Sequence, residues 1–148
     1  MSRIRTITIL ATLLLAPSSP ASARKVQTAS LHGDCLAGPY IVFFDPGLPW
    51  LRKQAVEVLD LMIEHAGECG PSTVHLAGHT DTAEDEAVAA ERLKAVRGYL
   101  ASRGVFVKPR YSKSYGNRVQ RVATTMQVSE PQNRRVEILL SGPEPRKP

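Results

Sequence analysis

The sequence predicts an α/β two-layer sandwich, with helices on one face of a mixed β-sheet. An apolar run at 40–44, rich in β-branched and aromatic residues, is typical of a central strand. Apolar residues then recur at helical spacing over 51–66, and a second strand-like run follows at 73–77. Two strands joined through a helix form a βαβ unit, so we expect these strands to be parallel neighbours.

Both predicted helices have recognisable ends. Pro49 suits an early helical position, and Gly67 suits the end of the first helix. Thr82 and Asp85 have the spacing of a capping box, which favours a start of the second helix near Thr82, and Gly104 supplies its end. Between these ends, each helix has one apolar stripe that can cover the sheet.

The rest of the chain supplies two further strands and completes the order βαβαββ. Residues 105–107 form the expected third strand, whereas the polar and basic stretch at 111–122 is interpreted as a surface loop. A weak additional strand is possible at 123–128. The alternation of apolar and polar residues at 136–140 predicts a last strand with one buried face.

The start of the chain has the pattern of a secretory signal peptide. A basic beginning, a short apolar run and a small-residue end occupy residues 1–23, and an uncleaved membrane anchor is the alternative interpretation. Cleavage there leaves an N-terminal segment at 24–37, one domain at 38–140 and a Pro-rich, charged tail at 141–148, which we expect to be disordered. We therefore expect export to the periplasm, with a peripheral association with the outer membrane as a further option.

The charge of the chain argues against nucleic acid as a partner. The formal net charge of the 148 residues is +5, and removal of Arg3 and Arg5 with the signal peptide lowers it to +3. The remaining charges are mixed along the chain, without the basic stripe and interleaved aromatic residues that a nucleic-acid surface needs. After the apolar run of the predicted signal peptide, the sequence has no further apolar run of comparable length.

The two cysteines, Cys35 and Cys69, each precede a predicted strand. If the two strands are parallel neighbours, both thiols lie at the same end of the sheet. A disulfide is the expected form in an oxidising compartment, and two reduced thiols are the alternative.

Asp81 and Arg92 are the candidate binding residues. Ligands of open α/β sheets bind at the carboxyl ends of strands, where Asp81 is expected. Arg92 follows eleven residues later and flanks the apolar stripe of the second helix, so its charge needs a partner or a ligand. A carboxylate and a guanidinium together suit a ligand that carries both an amine and a carboxylate.

Several motifs stand together in an order that resembles the OmpA-like C-terminal domain, which is also found in peptidoglycan-associated lipoproteins. The resemblance covers about residues 38–140. It rests on YIVFFD at 40–45, AGHTD at 77–81, Arg92 with the helix around it, and NRRVEI at 133–138.

The resemblance implies the OmpA-like fold and a non-catalytic function without a cofactor. It implies binding of the peptidoglycan stem peptide at meso-diaminopimelate, through the Thr80–Asp81 pair and Arg92. Asp81 would hold the amine of that residue, and Arg92 would hold its carboxylate. Tethering or positioning of envelope components follows as the expected role, with outer-membrane or other envelope proteins as possible partners.

The sequence departs from the family pattern between Asp81 and Arg92. This connection is four residues shorter than in the family, so a glycine loop with its backbone N–H donors is missing. Aligned backward from Arg92, Asp85 takes the position of a family asparagine and adds negative charge. The family's basic pair before the last strand corresponds to Arg134 and Arg135, of which we expect one to support the sheet end or contact the ligand.

Two alternatives remain open at this stage. His75, His79 and Asp81 alternate along a strand and its exit, which could form a metal site in a periplasmic hydrolase. No HExxH or cysteine-rich spacing supports that interpretation, so we expect no metal ligands. The other alternative is a protein-interaction module that has the OmpA-like fold and has lost the peptidoglycan contact.

Overall fold

The computed structural model describes residues 38–68 and 72–142, and the predicted order βαβαββ is confirmed there. The elements are β1 (Tyr40–Phe43), α1 (Lys53–Glu68), β2 (Thr73–His79), α2 (Ala87–Ser102), β3 (Ser112–Gly116) and β4 (Arg135–Ser141), with one turn of 3-10 helix at Pro109–Tyr111 before β3.

The four strands form one mixed sheet in the order β1-β4-β2-β3. β4 pairs antiparallel with both β1 and β2. In the register, Ile138 of β4 is opposite Tyr40 of β1 and opposite Leu76 of β2. β3 pairs parallel with β2, with Lys113 opposite Ala77. β1 and β2 therefore run in the same direction as predicted, but the expectation that they are neighbours is wrong, because β4 lies between them.

A single apolar core lies between the helices and one face of this sheet. Alternate residues of the strands point into the core, which follows from the two-residue period of a strand. The core residues are Val42 and Phe44 from β1 and its exit, Ala55, Leu59 and Met62 from α1, Val74 and Leu76 from β2, Leu93, Val96 and Leu100 from α2, and Val136, Ile138 and Leu140 from β4.

The helix boundaries differ from the prediction at three of the four ends. α1 begins at Lys53 and continues through Gly67 to Glu68, so neither Pro49 nor Gly67 marks a boundary. α2 begins at Ala87, and its N-cap residue, Glu86, makes no side-chain cap hydrogen bond. The predicted capping box is wrong because the Thr82 hydroxyl bonds the backbone of Thr125 and Val128 instead.

The third strand is the element whose place in the sequence was predicted wrongly. Residues 105–107 are not a strand, although Val105 and Val107 pack against the core. β3 lies instead within the predicted loop, at the polar segment Ser112–Gly116, and residues 123–128 form no strand. β3 is an edge strand held by backbone hydrogen bonds to β2, which an apolar pattern does not reveal.

Some predictions fall outside the described residues. These are the signal peptide at 1–23, the segment at 24–37, the Cys35–Cys69 disulfide and the tail from residue 143 onward.

At the end of the domain, β4 extends through Ser141, one residue beyond the predicted boundary. Across the described ranges, neither helix has the length and apolar character needed to cross a membrane.

Gly78 and Gly98 give a matched test of this packing. A Cβ at Gly78 would lie 2.7 Å from Leu93 Cγ and 2.8 Å from the Ala89 carbonyl oxygen, whereas Gly98 in α2 has open space. We expect Gly78→Ala to lower the free energy of unfolding by about 1 to 3 kcal/mol through overpacking.

The control, Gly98→Ala, should raise the free energy of unfolding by about 0.4 to 1 kcal/mol, because alanine restricts the unfolded chain and favours the helix. Urea denaturation of both variants measures the difference. A Gly78→Ala variant as stable as Gly98→Ala would contradict the close contact of β2 with α2.

Candidate functional site

Arg92, in the second turn of α2, is completely buried, and every N–H of its guanidinium has an acceptor. Nε donates to the Leu48 carbonyl at 3.2 Å, Nη1 to the His79 carbonyl at 3.1 Å and Nη2 to the Asp45 carbonyl at 3.0 Å. The other two bonds go to Glu84, from Nη1 at 2.8 Å and from Nη2 at 2.6 Å. Arg92 therefore has the partner that its position demanded, and the partner lies in the same chain.

The Glu84 carboxylate accepts four hydrogen bonds, although the residues on either side of Glu84, Ala83 and Asp85, are exposed. Besides the two bonds from Arg92, it accepts from the Gly47 N–H at 2.6 Å and, at 3.4 Å, from the Asp81 N–H. Its side chain is 5% exposed, while Ala83 and the residues after Glu84 are exposed to solvent. We call the four donors, Arg92 Nη1 and Nη2 with the N–H groups of Gly47 and Asp81, the carboxylate cradle.

Asp81, at the exit of β2, is also completely buried. Its Oδ1 accepts from the Ala83 N–H at 3.0 Å, and its Oδ2 accepts from the Glu130 N–H at 3.0 Å and from Arg134 Nη1 at 2.8 Å. Asp81 thus joins β2 to the loop before β4 through a buried ion pair. Oδ2 carries two bonds and Oδ1 one, so Oδ1 retains one free lone pair.

The exit of β1 supports two of the buried arginines, Arg92 and Arg134. The Phe44 carbonyl accepts from Arg134 Nε at 3.2 Å, and the Phe44 ring lies 5.1 Å from the guanidinium carbon of Arg92. Asp45 adds its carbonyl to Arg92 while its carboxylate pairs with Arg52 at the surface. The two charge pairs are therefore fixed to the same end of the sheet, by the same short segment.

The other predicted site residues divide between this sheet end and its surroundings. Thr80 is buried beside Asp81, and its hydroxyl makes no hydrogen bond with the described residues. Asp85 is exposed and accepts from the Ala87 N–H at 2.8 Å, where α2 begins. Arg135 lies on the sheet face away from the helices and bonds Glu137 Oε1 at 2.7 Å. The structure thus brings Asp81, Arg92 and Arg134 together, and leaves Asp85 and Arg135 outside the cradle.

Glu84 and Asn133 are site residues that the sequence pattern did not predict. Glu84 is one of three consecutive acidic residues at 84–86, and no periodicity distinguishes the one that turns inward. Asn133 is buried; its Oδ1 accepts from the N–H groups of Arg121 and Val122, and its Nδ2 donates to the Val122 carbonyl. It anchors the loop between β3 and β4, and its place before the basic pair in NRRVEI is the one signal that pointed to it.

The histidines of the proposed metal site make separate contacts. His79 stacks on Tyr115 with ring centroids 5.4 Å apart, and His75 Nε2 lies 2.9 Å from Ser141 Oγ. Burial lowers the pKa of His79, and the positive charge of Arg135 lowers it further. Within residues 38–68 and 72–142, no three His, Cys, Asp or Glu side chains are grouped to hold a metal ion.

Comparison with known proteins identifies the fold. No protein-family model matches the sequence, and no curated protein matches it significantly. Among solved structures, the peptidoglycan-associated lipoprotein from Burkholderia pseudomallei is similar with a TM-score of 0.56 at 19% identity, over 69% of this chain and 90% of that one.

Two further structures have the same fold. The OmpA-like domain of FopA1 from Francisella tularensis subsp. tularensis SCHU S4 gives a TM-score of 0.57 at 18% identity, over 70% of this chain and 71% of that one. A MotB-like protein from Desulfovibrio vulgaris gives 0.52 at 23% identity, over 67% and 69% of the two chains. The chain therefore has the OmpA-like fold, as its motifs predicted.

The ion pair between Asp81 and Arg134 can be tested by substitution. We expect Arg134→Met to lower the free energy of unfolding by about 3 to 5 kcal/mol, because it leaves the buried Asp81 carboxylate without its counterion. The control is Lys53→Met, which removes a cation from an exposed pair with Glu57. Urea denaturation should show almost no change for this control. Equal small losses in both variants would contradict a structural role for the buried pair.

The lowered pKa of His79 predicts how the free energy of unfolding depends on pH. Its folded pKa lies below its unfolded value of about 6.5, so the unfolded chain binds more protons between the two values. This contribution to stability is complete above pH 6.5 and is lost as the pH falls through the folded pKa.

We therefore expect His79→Phe, which keeps an aromatic ring against Tyr115 and cannot be protonated, to lose less stability than the wild type on acidification from pH 7.5 to 5. Urea denaturation at several pH values measures both curves. Parallel curves for the two proteins would contradict the assignment.

Proposed function

We propose that the protein is a non-catalytic domain of the bacterial cell envelope that binds the stem peptide of peptidoglycan at Arg92. The observation that carries this proposal is the carboxylate cradle at the carboxyl end of β2, where a guanidinium fork and two backbone N–H groups converge on one carboxylate. In open α/β sheets, ligands bind at this end of the strands. One protein of similar fold is named a peptidoglycan-associated lipoprotein, which supports the same ligand class.

The chemistry of meso-diaminopimelate fits the two charges of the site. Its side chain ends in both an amine and a carboxylate, and arginine binds a carboxylate through two parallel hydrogen bonds. In the proposal Arg92 binds the ligand carboxylate, and the free lone pair on Asp81 Oδ1 accepts from the ligand amine. Thr80 offers a further hydroxyl beside Asp81, and Asp85 lies at the exposed edge of the same loop.

Arg134 and Arg135 have indirect roles in this proposal. Arg134 fixes the Asp81 carboxylate, and Arg135 holds the sheet face beside His79 through Glu137 and the backbone. The protein would act in the periplasm after export, at or near the outer membrane. By holding peptidoglycan it would tether or position other envelope proteins.

A second candidate is a protein-interaction module that no longer binds peptidoglycan. The observation that favours it is that Asp81 and Arg92 are both completely buried and bonded within the chain. The exposed Phe43 and Leu139, on the sheet face away from the helices, would then offer an apolar contact surface.

The proposal predicts a preference between two kinds of peptidoglycan. We expect the exported, purified protein to co-sediment with sacculi that contain meso-diaminopimelate and to bind sacculi that contain lysine at that position more weakly. Lysine has the side-chain amine but lacks the carboxylate that Arg92 would bind. Arg92→Lys should weaken binding of the first kind about 10- to 100-fold, because a bidentate, charge-assisted contact contributes about 1.5 to 3 kcal/mol.

The matched control is Arg97→Lys, the same substitution about 1.4 turns further along α2 and away from the cradle. Circular dichroism and thermal unfolding establish that each variant is folded. Equal pelleting of the two variants, or equal affinity for the two kinds of sacculi, would contradict Arg92 as the contact. Absence of binding by the folded wild type and by a folded Glu84→Ala variant would favour the interaction module.

A further inference from the structure

The carboxylate cradle is occupied by a side chain of the same protein. Its four donors converge on the Glu84 carboxylate, and the other three donors of Arg92 are bonded to backbone carbonyls. No donor on Arg92 remains for a ligand while Glu84 is bound. A carboxylate from outside can reach the guanidinium fork only by taking the place of Glu84.

The two halves of this contact differ in how firmly they are held. Arg92 is anchored by three carbonyls, those of Leu48, His79 and Asp45, from the exits of β1 and β2. Glu84 lies in the connection between β2 and α2, outside both elements, with exposed residues on either side. Outward movement of Glu84 therefore changes a surface loop and leaves the helix, the sheet and the anchored guanidinium in place.

We propose that Glu84 is an internal ligand of the carboxylate cradle, and that the carboxylate of the bound peptide displaces it. This inference rests on the proposed function and adds the residue that sets its affinity. Glu84 is then a specificity-determining residue: only a ligand with a free carboxylate, and with further contacts outside the cradle, can replace it.

The exchange conserves the charge balance of the site. The incoming carboxylate replaces one anion on Arg92, and Glu84 moves to solvent, where a carboxylate is well hydrated. The buried guanidinium has an anion both before and after the exchange, and molecules without one are rare because an unpaired buried charge is costly. The apparent dissociation constant equals the intrinsic one divided by the fraction of molecules with an empty cradle. A cradle that is empty in less than about a tenth of the molecules weakens binding more than tenfold.

The first experiment tests whether the cradle accepts an external carboxylate. Glu84→Ala removes the atoms that correspond to acetate, so acetate itself is the probe, with chloride at equal ionic strength as the reference. We expect the variant to unfold at a lower temperature than the wild type, and acetate to raise its unfolding temperature in a saturable manner.

The matched control is Glu91→Ala, which removes an exposed glutamate that faces Lys94 on α2. It should be almost as stable as the wild type and should respond equally to acetate and chloride. Glu84→Gln, which keeps the size of the side chain, serves as the second variant if Glu84→Ala does not fold. A folded Glu84 variant that acetate stabilises no more than chloride does would overturn the inference.

The second experiment measures the affinity for a soluble stem peptide that ends in meso-diaminopimelate, with its C-terminal α-carboxylate amidated. We expect Glu84→Ala to bind this peptide at least about tenfold more tightly than the wild type, and Glu91→Ala to bind like the wild type. Titration calorimetry gives each dissociation constant. A second stem peptide, with lysine in place of meso-diaminopimelate and with the C-terminal α-carboxylate amidated as in the first peptide, should gain less from Glu84→Ala, because it lacks the side-chain carboxylate that would enter the cradle.

The two experiments separate failure of the inference from failure of the proposed function. If the wild type binds the peptide and Glu84→Ala binds it no more tightly, the internal-ligand inference falls and the proposed function stands. If acetate stabilises Glu84→Ala but neither protein binds the peptide or sacculi, the cradle is a carboxylate site and its assignment to peptidoglycan falls. Tighter peptide binding together with stabilisation by acetate supports both.

Discussion

The buried guanidinium of Arg92 is the constraint on which this end of the molecule depends. A cation without exposure to water must be neutralised and must have all its N–H groups bonded, or its burial destabilises the fold. The chain meets both requirements by bringing the exits of β1 and β2 and the connection before α2 to one point. The path of these three segments is therefore fixed by the needs of one side chain as much as by the apolar core beneath it.

The two buried ion pairs at this sheet end differ in what their anions are attached to. Asp81 lies immediately after β2 and also accepts from the Glu130 N–H, so its pairing with Arg134 joins two parts of the backbone. Glu84 reaches Arg92 from the part of the connection that is exposed, between Ala83 and Asp85. The pair of Asp81 and Arg134 thus acts as a scaffold, while the pair of Arg92 and Glu84 is the one that a ligand can exchange.

The parts of the fold that depend on burial of apolar side chains were predictable, and those that depend on polar contacts were not. The runs at 40–44, 73–77 and 136–140 gave strands, because strands that line a core repeat apolar residues at short intervals. β3 is an edge strand of polar residues, and its pairing comes from the backbone. The demand of Arg92 for a partner was predictable from its place beside the apolar stripe, whereas the choice of Glu84 depends on the path of a loop.

The departure from the family pattern and the occupied cradle have a common explanation in the length of one connection. The OmpA-like pattern that the sequence resembles has four more residues and a glycine loop between the positions of Asp81 and Arg92. The shorter connection lacks the N–H donors of that loop. In this protein the N–H groups of Gly47 and Asp81 donate to the carboxylate in the cradle. The same short path carries Glu84 back over the start of α2, within reach of the guanidinium. The shorter connection therefore leaves the guanidinium of Arg92 at the end of β2 and supplies it with an anion from the chain itself.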